Sequence, residues 1–573
     1  MKIETQLKQG IAKATGLDFD AVKLERPADE SHGEWSTNIA LVLSKKLGRN
    51  PRELAEEIKT KLEQEAEADD YPEANDYLEA VEVAGPGFIN FRIKKEYYLH
   101  LLERIDSKFG KGEQKEEKQR IMMEYGHPNT HKLPHIGHMF SYFVGDSLAR
   151  ILAFAGNDVY KVNYQGDIGP HVAKCIYGWR ELGRQEPVEL VAKVRHLQEC
   201  YQHGAKLYED SEQHAEKIRE LNKAIYQGEP EARADWEKTR QWSLDFYLQL
   251  ESRIGVKQSE HYLESQMWER GLEVVKENLG KVFEQSDGAV IFAGEKQGLH
   301  NRVFITQKGT ATYETKEVAL AIKKMEDWEF DLTITPTASE QNGYFKVVIK
   351  AIEQCRPELE GKLEHIGFGM VQLKGMGKMS SRTGKIVSGI DLLDMVKERM
   401  TNVVSKREGL SAEHKEEVAE KVTLGAIKYA FLRGNVMQNT QFDLEESISF
   451  EGNSGPYLQY TYARIQSVLR YKPEIPAGTD RQMSAEAYEL PILKWLDRFP
   501  ETVAQAAKTR SPHLIAGFAY ELAQRFNSFY REHSINSAKT PKVIAFRREL
   551  AEKTAQTIRA SLVLLGIETV EQM

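Results

Sequence analysis

IMMEYGHPNTHKLPHIGHMFSYFVGDSLARILAFAGNDVYKVNYQGDIGP, residues 121–170, carries a strand–helix–strand pattern within a chain of 573 residues. Its first apolar run, IMMEY, is typical of a buried strand. A loop with three histidines follows, and then a helical pattern that ends at Gly156. A second apolar run, DVYKVNY, leads into the glycine-bearing turn QGDIGP. This order predicts the parallel sheet of a nucleotide-binding α/β domain.

The segments on either side predict two further domains. Upstream, VEVAGPGFINFRI is typical of strands around a Gly-Pro-Gly turn, and NPRELAEEIKTKLEQ is typical of a helix, so an α+β domain is predicted for 1–112. The α/β catalytic core, with a split Rossmann-type parallel sheet, is predicted for 113–410, with a polar helical insertion at about 179–278. Residues 411–573 have helical periodicity almost throughout and predict an all-α domain.

Composition excludes several classes of protein. The three cysteines, Cys175, Cys200 and Cys355, are far apart, which argues against zinc ribbons and disulfide frameworks and favours a reducing, cytoplasmic location. No apolar run reaches the ~18 residues of a membrane span, and the N-terminus has no signal-peptide core. The net charge of −9 argues mildly against nucleic acid as a partner, but net charge conceals local basic patches.

The HIGH sequence predicts a phosphate site. His135 and His138 are three residues apart at the start of the predicted helix and therefore share a face. Gly137 allows close approach of a ligand, and a helix N-terminus offers unpaired N–H groups. Imidazoles there can stabilise charge on an attacked α-phosphate. Capping or core histidines are the alternative, whereas zinc is disfavoured because no HExxH glutamate or nearby cysteine is present.

A second motif, KMSSRTG, lies in the loop 374–385 after an apolar strand. Its cations, serines and glycines suit a mobile clamp for pyrophosphate, although such a loop alone is more often plain surface. With both motifs on a split sheet, the chain resembles the class I aminoacyl-tRNA synthetases. The resemblance implies His135, His138 and Lys378 as catalytic residues. It also implies ATP contacts from Gly137, Gly367, Met370, Val371, Met379, Ser380, Ser381 and Arg382.

EYGHPNTHKLPHIGH resembles the first motif of the arginyl-tRNA synthetases, and TATYETKEVALA, SEQNGYF and FEGNSGPYLQYTYARIQSVLR extend the match over almost the whole chain. This resemblance implies an arginine–tRNA ligase that uses ATP with Mg²⁺, holds no metal of its own and charges tRNA-Arg as a monomer. Arginine activation would require bound tRNA. The alternatives are a class I enzyme for cysteine or lysine, or a non-catalytic tRNA-binding paralogue.

A guanidinium substrate requires an acidic, planar partner, and a carboxylate meets that requirement. Tyr313 and Glu317 are four residues apart on a predicted helix and would face the same site. The family usually has Asp at the second position, and a surface glutamate is the alternative. The resemblance implies an arginine pocket of Glu124, Asn129, His135, Tyr313, Glu317 and Gln341, in which Asn129 and Gln341 hold the α-amino group.

Two departures from the family pattern concern the phosphate end. Gly126-His127 replaces the family's Ser-Ser, and we expect His127 to be a loop residue. The KMSS loop lacks the second lysine of KMSKS, and Lys132, just ahead of HIGH, is predicted to supply the missing charge as a further catalytic residue.

Aromatic and basic residues predict tRNA contacts at both ends of the chain. Tyr460, Arg464 and Tyr530 are candidates for stacking on anticodon bases, with Met573 close by, although an aromatic stripe on a helix is more often core. Alternate tyrosines at 460 and 462 cannot all face inward. In the N-terminal domain, Phe88 and Asn90 are predicted to contact the tRNA D-loop, and a plain strand is an equal alternative.

Overall fold

The computed structural model describes residues 3–27, 29–67, 77–112, 118–374, 387–407, 409, 411–471, 473 and 486–573. Backbone contacts group them into two units, each built from separate chain segments. The first unit consists of Met1–Asp106, Pro473–Asp497 and Phe529–Lys553. The second unit consists of Ser107–Lys472, Arg498–Ser528 and Thr554–Met573.

The N-terminal part of the first unit is an α+β fold. Its elements are α1 (Ile3–Thr15), β1 (Trp35–Thr37), α2 (Ile39–Leu47), α3 (Pro51–Glu67), β2 (Leu78–Ala84), β3 (Phe88–Ile93) and α4 (Lys95–Arg104). The three strands form an antiparallel sheet in the order β1-β3-β2. Gly87, in the turn between β2 and β3, has φ +135°, and a Cβ there would lie 2.8 Å from the carbonyl oxygen of Pro51. Glycine therefore lets this hairpin pack against the start of α3.

A five-stranded parallel sheet forms the centre of the second unit. The strands of this unit are β4 (Arg120–Glu124), β5 (Asp158–Gln165), β6 (Glu260–Leu263), β7 (Glu284–Ser286), β8 (Ala289–Phe292), β9 (Arg302–Ile305), β10 (Leu332–Ala338), β11 (Leu363–Phe368), β12 (Val371–Leu373) and β13 (Thr440–Phe442). The central sheet has the order β11-β10-β4-β5-β6, and every neighbouring pair is parallel. Strands β7 to β9 form a separate antiparallel sheet, and β12 pairs with β13.

The HIGH helix, α5 (Ile136–Phe154), packs closely against the sheet. Its Gly145 faces Tyr125, the residue after β4, and a Cβ at Gly145 would lie 2.1 Å from Tyr125 Cγ. A larger residue would therefore push the helix away. The chain leaves β4 for β5 on one side, while β10 lies on the other. Such a switch point in strand order opens a crevice at the carboxyl ends of the strands.

The segment predicted as a helical insertion is helical over most of its length. It contains the end of α6 (Pro170–Glu181), followed by α7 (Leu190–Asp210), α8 (Glu212–Gln227), α9 (Pro230–Arg253) and α10 (Trp268–Glu277). The prediction of an insertion as far as 278 was wrong at one place, because β6 lies inside it and pairs with β5 as a strand of the central sheet. The four residues EHYL are too few to show a strand periodicity in the sequence.

The remaining elements are almost all helical, as predicted beyond 411. They are α11 (Tyr313–Asp327), α12 (Asn342–Cys355), α13 (Gly389–Val404), α14 (Ala412–Leu432), α15 (Leu444–Ser447), α16 (Gly455–Arg470), α17 (Leu490–Leu496), α18 (Phe499–Thr509), α19 (Pro512–Glu532) and α20 (Pro541–Leu564). Helices from this segment contribute to both units. The domain boundaries at 112 and 410 stay predictions.

Candidate active site

A cleft of about 1100 Å³ opens at the carboxyl ends of β4, β5 and β10, where the strand order switches. We call it the active-site cleft. It brings together side chains from segments as far apart in sequence as Gly126 and Val371. The sequence-predicted residues that line it are Asn129, His135, Gly137, His138, Tyr313, Glu317, Gln341, Met370 and Val371.

The two HIGH histidines are held by the helix they begin. His135 is the N-cap of α5, and its Nδ1 accepts a hydrogen bond from the Gly137 N–H at 3.1 Å. The backbone N–H of His135 donates to Nδ1 of His138 at 3.1 Å, and the two ring centroids lie 3.9 Å apart. Because each Nδ1 accepts, the proton of each neutral ring is assigned to Nε2. Capping thus leaves both rings with Nε2–H as a donor.

Both rings are neutral at physiological pH. Burial, with a smaller contribution from the Lys132 ammonium, lowers the pKa of His135 to about 4. Burial and the neighbouring His135 hold the pKa of His138 well below its usual range. A neutral imidazole donates a hydrogen bond without repelling a nearby cation. The pair therefore suits donation to an anionic group in the cleft.

Three carboxylates lie at the other end of the active-site cleft: Glu264, Glu314 and Glu317. Two of them already have a cation. Glu264 Oε2 pairs with Lys316 Nζ at 2.7 Å, and Glu314 Oε1 pairs with Arg302 Nη1 at 3.3 Å.

Glu317 has no such cation among the residues that the structure describes. Burial raises the pKa of Glu317 to about 8, and the negative charges of Glu264 and Glu314 add to the effect. The cause is the cost of placing a further negative charge in a half-buried acidic site. A ligand cation at this position would remove that cost. Glu340 also lines the cleft without an ion-pair partner among the described residues, but it is exposed. Glu317 is therefore the more enclosed of the two carboxyl groups that suit an external guanidinium.

Sequence reasoning missed Glu264, Glu314 and Arg302 as cleft residues. Glu264 follows β6, the strand that the sequence analysis placed within a helical insertion. Arg302 begins β9, and Glu314 lies beside Tyr313 in the YETKE sequence. The position of Glu314 next to Tyr313 was therefore the one feature of the sequence that could have indicated a cleft residue. The ion pairs of Glu264 and Glu314 depend on tertiary contacts and could not be predicted from the sequence.

The loop before HIGH positions Asn129. The Tyr247 hydroxyl donates to the backbone oxygen of Asn129 at 2.6 Å. A Cβ on Gly166 would lie 2.2 Å from Asn129 Oδ1, so a glycine is required beside this amide. His127 also lines the cleft, with φ +52° and its N–H bonded to Asn163 Oδ1 at 3.0 Å.

Three predicted site residues lie elsewhere. The Glu124 carboxylate is buried beside the Lys324 ammonium. The ammonium of Lys132 lies 4.1 Å from the centre of the Tyr201 ring, on insertion helix α7, and Lys132 does not line the active-site cleft. Gly367 lines a neighbouring cleft. The predicted loop residues Lys378, Met379, Ser380, Ser381 and Arg382 lie outside the described residues.

The predicted anticodon residues on α16 differ in exposure. Tyr462 is buried, and its hydroxyl donates to Glu571 at 2.9 Å. Tyr460 is half-buried, with the guanidinium carbon of Arg464 4.7 Å from its ring centre. Arg464 also donates to Asn527 Oδ1 at 2.7 Å. Tyr462 is therefore a core residue, whereas Tyr460 is partly accessible to a ligand.

The other predicted tRNA contacts have mixed surroundings. Asn90 is buried in β3 and accepts a hydrogen bond from Ser36 Oγ at 2.7 Å, which favours the plain-strand alternative for this residue. Phe88, Tyr530 and Met573 are half-buried. Their roles in tRNA binding stay predictions.

Comparison with models of known protein families shows which family the chain belongs to. The family model described as "tRNA synthetases class I (R), catalytic domain" matches residues 101–444, which is more than half of the chain. The chain belongs to the arginyl-tRNA synthetases. Models for the arginyl-tRNA synthetase N-terminal domain and for the DALR anticodon-binding domain match residues 1–93 and 458–573.

Relatives of this arginyl-tRNA synthetase cover most or all of its length. The arginine–tRNA ligase of Bacteroides thetaiotaomicron is 32% identical, with 100% of each chain covered. That of Flavobacterium psychrophilum is 32% identical over 85% of each chain. The solved Thermus thermophilus arginyl-tRNA synthetase has the same fold, with a TM-score of 0.82 at 24% identity over 99% of both chains.

The predicted fold class and function are therefore confirmed. The chain is an arginine–tRNA ligase with a class I catalytic core, an N-terminal α+β domain and a helical anticodon-binding domain. Its family uses ATP. Within the described ranges, every helix is too short or too polar to be a candidate membrane span. In the same ranges, no group of three or more His, Cys, Asp or Glu side chains is arranged to hold a metal ion.

Proposed function

We propose that arginine lies along the active-site cleft with its guanidinium on Glu317 and its α-amino group at Asn129 and Gln341. The observation that carries this proposal is the carboxyl group of Glu317, which has no cation among the described residues while its two acidic neighbours do. Tyr313, the first residue of α11, lines the same end of the cleft. The arginine carboxylate then points toward the HIGH histidines at the other end.

ATP, which brings Mg²⁺ with it, then occupies the HIGH end of the active-site cleft, against Gly137, Met370 and Val371. An oxygen of the arginine carboxylate attacks the α-phosphorus, and the bond to the bridging oxygen of pyrophosphate breaks. Arginyl-adenylate and pyrophosphate result. The Nε2–H groups of His135 and His138 donate to oxygens on which negative charge develops, so positioning and charge stabilisation replace a protein nucleophile.

In the second step, a ribose hydroxyl of the terminal adenosine of tRNA-Arg attacks the arginyl carbonyl carbon, and AMP leaves. Tyr460, Arg464, Tyr530, Met573, Phe88 and Asn90 are kept as predicted tRNA contacts. The loop residues Lys378 to Arg382, together with Glu124, Lys132 and Gly367, also stay predictions. So do a monomeric state and a cytoplasmic location.

A charging assay tests this function. The full chain is incubated with ATP, Mg²⁺, a tRNA-Arg transcript and each amino acid in turn, and both pyrophosphate exchange and aminoacyl-tRNA are measured. Arginine alone is expected to support both reactions, and exchange is expected only when tRNA is present. Charging with lysine or cysteine in place of arginine would contradict the proposal, and so would tRNA binding without exchange.

The pKa of Glu317 makes arginine binding depend on pH. In the arginine-free enzyme this pKa is about 8, and a bound guanidinium lowers it because it favours the ionised carboxylate. Below this pKa, arginine binding therefore releases a proton, and the dissociation constant is expected to rise as the pH falls from 8.5 to 6.5, by up to about tenfold for each pH unit below the pKa.

Isothermal titration in buffers of different ionisation enthalpy measures this proton directly. About one proton is expected to be released per arginine at pH 6.5 and far less at pH 8.5. ATP binding, titrated in the same buffers, is the control because the proposed ATP end of the cleft does not include Glu317. An arginine affinity that stays constant across this range would contradict the assignment.

A further inference from the structure

A second cleft, of about 730 Å³, lies beside the active-site cleft in the same unit. One face of α12, the edge strand β11 and the C-terminal end of α18 form its walls. Phe345 lines both clefts, and the consecutive β11 residues Gly367 and Phe368 line one cleft each. A ligand in the second cleft would therefore lie next to the active-site cleft without occupying it.

Positive charge exceeds negative charge in the second cleft. Its two carboxylates are already paired: Glu353 with Lys350 at 3.7 Å, and Glu364 with Arg510 at 3.1 Å. Lys346 and Lys508 also line it, and both are exposed. Neither lysine has an ion-pair partner within the part of the chain that the structure describes. The cleft thus has two uncompensated ammonium groups, although the whole chain has a net charge of −9.

The conformation of Arg510 indicates that this residue has a role other than stabilising the fold. It is the C-cap of α18 and has φ +55°, a left-handed conformation that glycine normally adopts at this position. Its Nη1 donates to the Ala507 oxygen at 2.6 Å, but its Nε is buried without a hydrogen-bond partner. A strained backbone and an unused buried donor are features that concentrate at functional sites.

We propose that the second cleft binds backbone phosphates of tRNA, with Lys346, Lys508 and Arg510 as the contacting cations. This inference rests on tRNA charging as the function of the chain, which makes tRNA its polyanionic substrate. Lysine and arginine contacts to phosphates supply much of the sequence-independent affinity for nucleic acid. The cations come from α12 and from the C-terminal end of α18, so a ligand with phosphates at several points fits them better than a single small anion.

The double variant Lys346→Ala/Lys508→Ala in the full chain tests the proposal. Filter binding of a tRNA-Arg transcript is measured between 50 and 200 mM salt. The slope of log K against log salt is expected to become shallower by about two, roughly one for each lost phosphate contact. At the lowest salt, the dissociation constant is expected to rise about tenfold. The KM for tRNA should rise, while the KM for ATP should not.

The matched control removes two lysines that line neither cleft. Lys276 and Lys281 are exposed and have no ion-pair partner among the described residues. Lys276→Ala/Lys281→Ala should keep the wild-type salt slope. Equal losses in both double variants would overturn the proposal, and so would a raised KM for ATP in the first. If the wild type binds tRNA and Lys346→Ala/Lys508→Ala binds it equally well, only the proposed phosphate site in the second cleft is wrong. If the wild type itself does not bind tRNA, the proposed function is wrong as well.

Arg510→Gly separates a structural role from a binding role. Glycine accepts the left-handed conformation, which offsets part of the stability lost with the Glu364 ion pair and the Ala507 hydrogen bond, so the thermal midpoint is expected to stay close to that of the wild type. The affinity for tRNA is expected to fall severalfold because the guanidinium is lost. A lower thermal midpoint with unchanged tRNA affinity would show that Arg510 only joins α18 to β11 through Glu364, and would remove it from the proposed site.

Discussion

Glu317→Gln is expected to lower kcat/KM for arginine by about 100- to 1000-fold. Removing one partner of a buried charge pair costs about 2–5 kcal/mol, because the other charge stays buried without compensation. Each ~1.4 kcal/mol corresponds to a tenfold change. The loss should fall mainly on KM for arginine, since the guanidinium is bound before and during the reaction. Charging kinetics with saturating ATP and tRNA measure it.

The Glu317→Gln substitution should not lower the stability of the protein, although it lowers the activity. Burial raises the pKa of Glu317 to about 8, so the arginine-free enzyme at pH 7 already holds this group largely in its neutral form. Glutamine resembles that form in size and charge. The thermal midpoint of Glu317→Gln is therefore expected to equal or exceed that of the wild type.

Two variants serve as controls for Glu317→Gln. Glu314→Gln removes a neighbouring carboxylate that is paired with Arg302, so its effect on KM for arginine should be much smaller. Glu317→Asp keeps the charge on a shorter side chain and matches the residue usual in the family, so most activity should remain. If Glu314→Gln were the more damaging variant, the guanidinium would belong on Glu314 and the present assignment would be wrong.

The HIGH end of the active-site cleft was predictable from local sequence, whereas the acidic end was not. His135, Gly137 and His138 lie within one turn of a helix, so spacing alone predicts that they share a face. The acidic end combines Glu264 after β6 with Glu314 and Glu317 on α11. No periodicity links residues about fifty positions apart. Only the pairing of β6 with β5 brings Glu264 to the cleft.

Proximity in the sequence also failed to predict the surroundings of Lys132 and Glu124. Lys132 precedes HIGH by three residues, which motivated its prediction as a phosphate ligand. The structure places Tyr201 of α7 against its ammonium, a cation–π contact that no local pattern reveals. Glu124 likewise lies five residues before Asn129, but its carboxylate is buried beside the ammonium of Lys324 of α11. Both contacts come from side chains supplied by other elements of the fold.

The HIGH histidines combine a capping role with the proposed catalytic role, and two substitutions of His138 separate them. Asparagine can place an acceptor near the position of Nδ1, which keeps the bond from the His135 N–H, but it has no donor at Nε2. Glutamine reaches the Nε2 position with an amide N–H but lacks the Nδ1 acceptor. His138→Asn should therefore keep the cap, and His138→Gln should keep the donor.

His138→Asn is expected to lower the rate of adenylate formation by about 100- to 1000-fold, the usual cost of losing one donor to a transition-state oxyanion. Its thermal midpoint should stay close to that of the wild type. His138→Gln is expected to keep the rate within about tenfold, but to lose roughly 0.5–2 kcal/mol of stability with the cap. Single-turnover formation of arginyl-adenylate with tRNA present, together with thermal melting, measures both. The reverse pattern, an active asparagine variant and an inactive glutamine variant, would mean that His138 serves arginine activation only by holding the start of α5.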